Sequence, residues 1–178
     1  MHSIHAFIIL LFLLTSCGSP NRYLQTQDPE PLQDFYVPEK IRVALVLGSG
    51  GVRGIAHVGV IEELVDAGIP IDLIVGCSAG SIVGALYADN PNTCDLKEAV
   101  SKLKSESMLN ISLMHCRYGL SKGNTMNKVL DEYLVAETFE ELKIPLVIVA
   151  TDLNSGELVP MGSGDLVKAV QASCSIPF

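Results

Sequence analysis

A serine held between two glycines, in Gly76-Cys77-Ser78-Ala79-Gly80, is the most reactive arrangement in this sequence. The Gly-x-Ser-x-Gly form places a hydroxyl on a sharp strand-to-helix turn, with Oγ exposed for attack on a carbonyl. The flanking glycines let the backbone turn there without Cβ clashes. A second glycine stretch, Gly48-Ser49-Gly50-Gly51-Val52-Arg53-Gly54, follows the apolar run Ile41–Leu47. Consecutive N–H groups at the start of a helix would hold an oxyanion as it develops. Together the two stretches describe nucleophilic acyl transfer by a serine hydrolase.

Two phosphate-binding alternatives fail on named residues. A nucleotide P-loop ends in Gly-Lys-Ser/Thr, whereas this loop ends in Val52-Arg53-Gly54-Ile55. A dinucleotide fingerprint beginning at Gly48 needs glycine where Arg53 stands. The base that would activate Ser78 is less evident. An α/β-hydrolase triad runs Ser, then Asp or Glu, then His. The one histidine after Ser78 is His115, too early in the chain to close such a triad. His57, one turn into the helix after the glycine loop, reads as a packing or helix-terminal residue.

These groups need strands that stop at glycine and helices that start there. Arg42–Leu47 reads as a buried strand, and Ile55, Val58, Ile61, Leu64 and Val65 repeat with a helical period. Gly68 and Pro70 terminate that helix. Leu73–Val75 is the next strand; Ser78 opens a helix through Ile82, Val83 and Leu86 that Asn90-Pro91-Asn92 stops. An amphipathic helix is predicted from Asp95 to about Ser105, and another after Asn124 carries Met126, Val129, Leu130, Tyr133 and Leu134. Met108–Tyr118 is assigned to no element. Leu146–Ala150 is a strand, Asn154-Ser155-Gly156 a hairpin turn into Leu158–Pro160, and Asp165 starts a helix reaching about Ser173. Strands alternating with helices imply an α/β fold with a mainly parallel sheet.

The 178 residues suffice for one domain with a real core. A hydrophobic content of 48% and a mean hydropathy of +0.37 suit parallel strands covered by helices. The net charge of −8, with no Lys/Arg-dense run, argues against nucleic-acid partners. The unbroken apolar run Ala6–Leu14 is too short to span a bilayer and suits a signal-peptide core. Leu14-Thr15-Ser16-Cys17 is similar to a bacterial lipobox, which implies residues 1–17 as a signal peptide and lipidation of Cys17. Gly18 and Ser19 would then suit outer-membrane sorting in a Gram-negative bacterium, on the periplasmic or outer surface. Residues 18–40, with Pro20, Pro29, Pro31 and Pro38, form a tether, and the domain occupies 41–178. Cys77, Cys94, Cys116 and Cys174 match no zinc spacing; a Cys94–Cys116 disulfide and four buried thiols both fit.

Gly50-Gly-Val-Arg-Gly54 with His57 and Gly59, then Gly76–Gly80, Ala150-Thr-Asp-Leu153 with Gly156, and Ala172-Ser-Cys-Ser-Ile-Pro177 resemble the patatin-like phospholipase family in order and spacing. The resemblance covers essentially everything from Ile41 onward. It implies a three-layer α/β/α fold, hydrolysis of phospholipid or other acyl-ester lipid, no metal or other cofactor, and a Ser–Asp dyad in place of a triad. Ser78 is then the nucleophile, and the Gly50 and Gly51 amides form the oxyanion hole with Arg53 beside them. The family's glycine motif would run over 49–54, with Ser49 replacing its first glycine. The dyad aspartate of the family lies in an Asp-Gly pair downstream of the Ser-Ile-Pro segment. No Asp-Gly pair occurs in this chain, so the aspartate is expected beyond Phe178 and the chain alone is expected to be inactive. Asp152 is a weak substitute candidate, since a turn role beside Gly156 explains it. The alternative expectation is a non-catalytic surface lipoprotein of the same fold that binds lipid or a partner.

Overall fold

The computed structural model describes residues 36–105 and 124–175. Four strands, β1 (Ala44–Leu47), β2 (Leu73–Cys77), β3 (Leu146–Thr151) and β4 (Leu158–Met161), form one sheet in the order β1-β2-β3-β4. The β1–β2 and β2–β3 pairs are parallel; β3–β4 is the antiparallel hairpin expected around Asn154–Gly156. Helices α1 (Ala56–Asp66), α2 (Ala79–Asp89), α3 (Thr93–Ser105), α4 (Asn124–Tyr133) and α5 (Leu166–Cys174) lie between and after the strands.

Local signals end and start these elements. At the end of α1, Gly68 takes φ 67° and the amides of Gly68 and Ile69 reach back to the carbonyls of Val65 and Leu64. That is a Schellman cap, which glycine permits and Pro70 then seals. Asn92 Oδ1 accepts the Cys94 amide at 2.8 Å to begin α3, and Asp165 Oδ1 accepts the Lys168 amide at 2.9 Å to begin α5.

Strand order explains where the core sits. Two right-handed crossovers that advance the same way along the sheet put α1 and α2 on one face. By register Leu45, Ile74 and Leu146 line up on that face, as do Leu47, Gly76 and Ile148. Leu47, Ile74, Leu146 and Ile148 share one core with Val58, Ile61, Ile82, Leu86, Leu130 and Val170 from the helices. Each such side chain contributes roughly 1.5–3 kcal/mol on leaving water. α2 is buried along its whole length, which is why its apolar residues show no clean stripe.

The expected strand over Arg42–Leu47 requires correction. It begins at Ala44, and it is not buried on both faces: Ala44 and Val46 are exposed, Val46 to 69%. β1 is an edge strand among the described residues, and its second face lies opposite the helical core. Ahead of it, Asp72 Oδ2 accepts the amides of Arg42 and Val43 at 2.8 and 3.0 Å, tying the start of β1 to the start of β2. No described helix is long and apolar enough to cross a membrane. The expected signal sequence with Cys17, the unassigned stretch with His115 and Cys116, and Phe178 lie outside the described residues.

Candidate active site

Ser78 stands between β2 and α2 with φ 51° and ψ −118°. Among the described residues it is the one non-glycine with positive φ. A residue with a Cβ in such a region costs about 1–3 kcal/mol and persists only where its surroundings impose it. Ser78 occupies the N-cap position of α2, yet its side chain caps no helix amide. The helix-capping role that a serine here would otherwise fill is therefore not the one it performs. Its carbonyl instead accepts the Ser81 amide at 2.8 Å and the Ser81 hydroxyl at 2.6 Å.

The glycine loop lies beside this turn because β1 and β2 end together, Leu47 pairing with Gly76. After Leu47 the chain turns at Gly51 (φ 54°), and Gly51–Ile55 forms a 3-10 turn in which the Arg53 amide meets the Gly50 carbonyl at 3.1 Å. Gly54, Gly76 and Gly80 are needed for close approach. A Cβ on Gly54 would collide with Ala79, and one on Gly80 with the carbonyl of Leu47. A Cβ on Gly76 would lie 2.7 Å from the Ser81 Cα. The two motifs are thus packed backbone against backbone at the carboxyl ends of neighbouring parallel strands, where ligand sites of α/β sheets gather.

Gly50, Gly51 and Arg53 are exposed and Ser78 is half-buried. The first amides of α2, from Ala79, face the same end of the sheet with the helix's positive pole behind them. His57 Nε2 lies 2.8 Å from the Gly48 carbonyl, so this histidine braces the glycine loop, matching its reading as a helix-terminal residue. Asp152 lies beyond β3, and its Oδ1 accepts the amides of Asn154 and Ser155, both at 2.8 Å, and the Ser155 hydroxyl at 3.3 Å. Those amides hold its carboxyl below the usual carboxylate range. Asp152 therefore organises the hairpin turn, as its position beside Gly156 implies. Among the described residues no cluster of three His, Cys, Asp or Glu side chains offers a metal site.

Three residues near Ser78 received no role from the sequence. The Ser173 hydroxyl accepts the Ser78 amide at 2.8 Å and donates to the Val149 carbonyl at 2.6 Å. Ser81 is fully buried in the first turn of α2. The Cys174 thiol lies 3.8 Å from the Ser81 hydroxyl and also faces Ser78; burial pushes it above the ordinary thiol range. Only Ser81 had a local signal that could have found it, as a serine three residues after Ser78 on a buried helix; the run of small residues Ala172–Ser175 names no partner. Cys77 and Cys174 are half-buried and Cys94 is exposed, so the expectation of four buried thiols does not hold at these three.

The family described as patatin-like phospholipase matches residues 45–178. Over 138 residues the chain is 32% identical to patatin-like phospholipase domain-containing protein 6 of Homo sapiens, covering 75% of this chain and 10% of that protein. It is 33% identical to lysophospholipase nte1 of Aspergillus fumigatus, covering 75% of this chain and 9% of that protein. The chain thus spans about a tenth of the length of these curated relatives. The crystal structure of the type III effector protein ExoU shares the fold, with a TM-score of 0.53 at 15% identity over 74% of this chain and 39% of that one.

Proposed function

The chain belongs to the patatin-like phospholipase family, and from that premise we propose that it carries the nucleophile of a serine acyl hydrolase acting on phospholipid or another acyl-ester lipid. The observation that supports this most is Ser78, held at φ 51° between β2 and α2 and capping no helix, with its neighbours Ala79 and Gly80 packed against the glycine loop.

In the proposed reaction an aspartate takes the Ser78 proton and Oγ attacks the ester carbonyl carbon. Charge collects on the carbonyl oxygen, which the Gly50 and Gly51 amides receive, with Arg53 beside them. One such donor is typically worth about 3–4 kcal/mol of barrier. The tetrahedral species collapses by breaking the bond to the alcohol, which leaves with the proton from the aspartate. Water then repeats the sequence on the acyl-serine, releasing fatty acid and freeing Ser78. The aspartate is proposed to lie outside these 178 residues, in an Asp-Gly pair of the full-length protein. Asp152 is not proposed for this role, because its carboxylate is committed to the turn.

A lipidated Cys17 would keep the site at a membrane surface, which the acidic sequence, with no Lys/Arg-dense run, would not do by charge. If so, Cys17→Ala moves the protein from the detergent phase to the aqueous phase on Triton X-114 partitioning. One observation favours a competing reading as a non-catalytic lipid- or partner-binding lipoprotein: the chain has no Asp-Gly pair. Hydrolysis of a fluorogenic phosphatidylcholine by the full-length protein separates the two. The hydrolase reading expects turnover that falls roughly a thousandfold or more in Ser78→Ala. No turnover from the unmutated protein, or equal turnover from both, rules it out.

A further inference from the structure

We propose that Ser173 is a positioning residue for the nucleophile: its hydroxyl is inserted into the β2–β3 ladder and holds Ser78 in its strained turn. The proposal rests on the reading of Ser78 as the nucleophile.

The parallel register gives the Ile74 amide to the Pro145 carbonyl at 2.9 Å. Such a ladder repeats every two residues along each strand, so an uninterrupted β2 would give the Ser78 amide to the Val149 carbonyl. The turn at Ser78 takes the chain out of the sheet at that point. The Ser173 hydroxyl fills the gap, accepting from Ser78 N at 2.8 Å and donating to Val149 O at 2.6 Å. Its polarity is fixed, because the amide can only donate and the carbonyl can only accept. A serine in the last turn of a helix commonly bonds a carbonyl one turn back. Ser175 does so, donating to Gln171 O at 2.8 Å, whereas Ser173 reaches across the chain to β3.

Both polar backbone groups of Ser78 are thereby held, the amide by Ser173 and the carbonyl by Ser81. A peptide clamped at both ends keeps φ and ψ where they are, and Oγ with them. The Ser78 amide is also occupied, which leaves oxyanion binding to the glycine loop and the first amide of α2. Removing the Ser173 hydroxyl leaves one amide without its acceptor and lets the turn relax, displacing Oγ. A misplacement of about 1 Å costs on the order of a hundredfold in rate.

The test compares the full-length protein with Ser173→Ala, Ser173→Thr and the core variant Val170→Ala. Readouts are the second-order rate of fluorophosphonate labelling at Ser78, kcat and KM for a phosphatidylcholine ester, and Tm. Ser173→Ala is expected to slow labelling and kcat roughly ten- to a hundredfold with KM unchanged. Ser173→Thr retains the hydroxyl and restores most of the rate. Val170→Ala lowers Tm and leaves the labelling rate of the folded protein as it was. Should Ser173→Ala not fold, Ser173→Cys, of similar size and a weaker donor, carries the test with a loss of roughly tenfold. Labelling of the folded Ser173 variant at the unmutated rate, or a loss matched by Val170→Ala, overturns the proposal. Absence of a Ser78 adduct in every variant instead overturns the functional reading beneath it, and this proposal with it.

Discussion

At the scale of single residues, an aspartate just past the carboxyl end of a parallel strand invites a catalytic role, and the partners of Asp152 assign it a turn role. Its carboxylate is committed to the amides of Asn154 and Ser155, which hold its pKa down. A carboxyl lowered on folding contributes stability that is present above the unfolded value of about 3.9 and lost as pH falls through the folded value. Asp152→Asn should therefore melt below the unmutated protein at pH 7, and the difference should close as the pH falls through the lowered folded value. Turnover by the full-length protein should survive that substitution to within roughly tenfold, and a loss of a thousandfold would place Asp152 in the dyad after all. The position of Ser78 was legible because its signal is local: two glycines, a strand before and a helix after. Ser173 had no such signal. Its partners are at positions 78 and 149, and a hydrogen bond across 95 residues of chain leaves no pattern in either neighbourhood.

At the scale of elements, the contact between α2 and the end of β1 sets the geometry of the site. Gly80 lies so close to the carbonyl of Leu47 that no Cβ fits between them. Gly80→Ala should therefore push α2 off the sheet and cost about 3 kcal/mol, read as a lower guanidinium midpoint at unchanged slope. An unchanged midpoint would mean that the two motifs are not packed as described. Helix and hairpin boundaries were readable from Gly68, Asn154–Gly156 and Asp165, which end or cap an element through a positive φ or a side-chain carboxylate acting locally. The exposure of β1 was not. Val46 is as apolar as Leu47, and an unbroken apolar run gives no sign of which face the helices will cover. That depends on strand order, here β1-β2-β3 advancing in one direction, which places the helical core on a single side.

At the scale of the whole molecule, the chain supplies a mainly parallel sheet, a helical core on one of its faces and a paired set of glycine motifs at one end. Fold class could be read from alternating strands and helices, and the family from the order and spacing of its motifs. What no spacing could reveal is that the Ser78 amide is held by Ser173, because that depends on α5 returning to the end of β3. The central claim is that the Ser78 hydroxyl is the nucleophile. Exposure of the full-length protein to an alkyl fluorophosphonate, followed by peptide mapping, tests it most directly. The account predicts one adduct, on the peptide containing Ser78, absent after Ser78→Ala. An adduct on another residue, or equal labelling of both proteins, would contradict it.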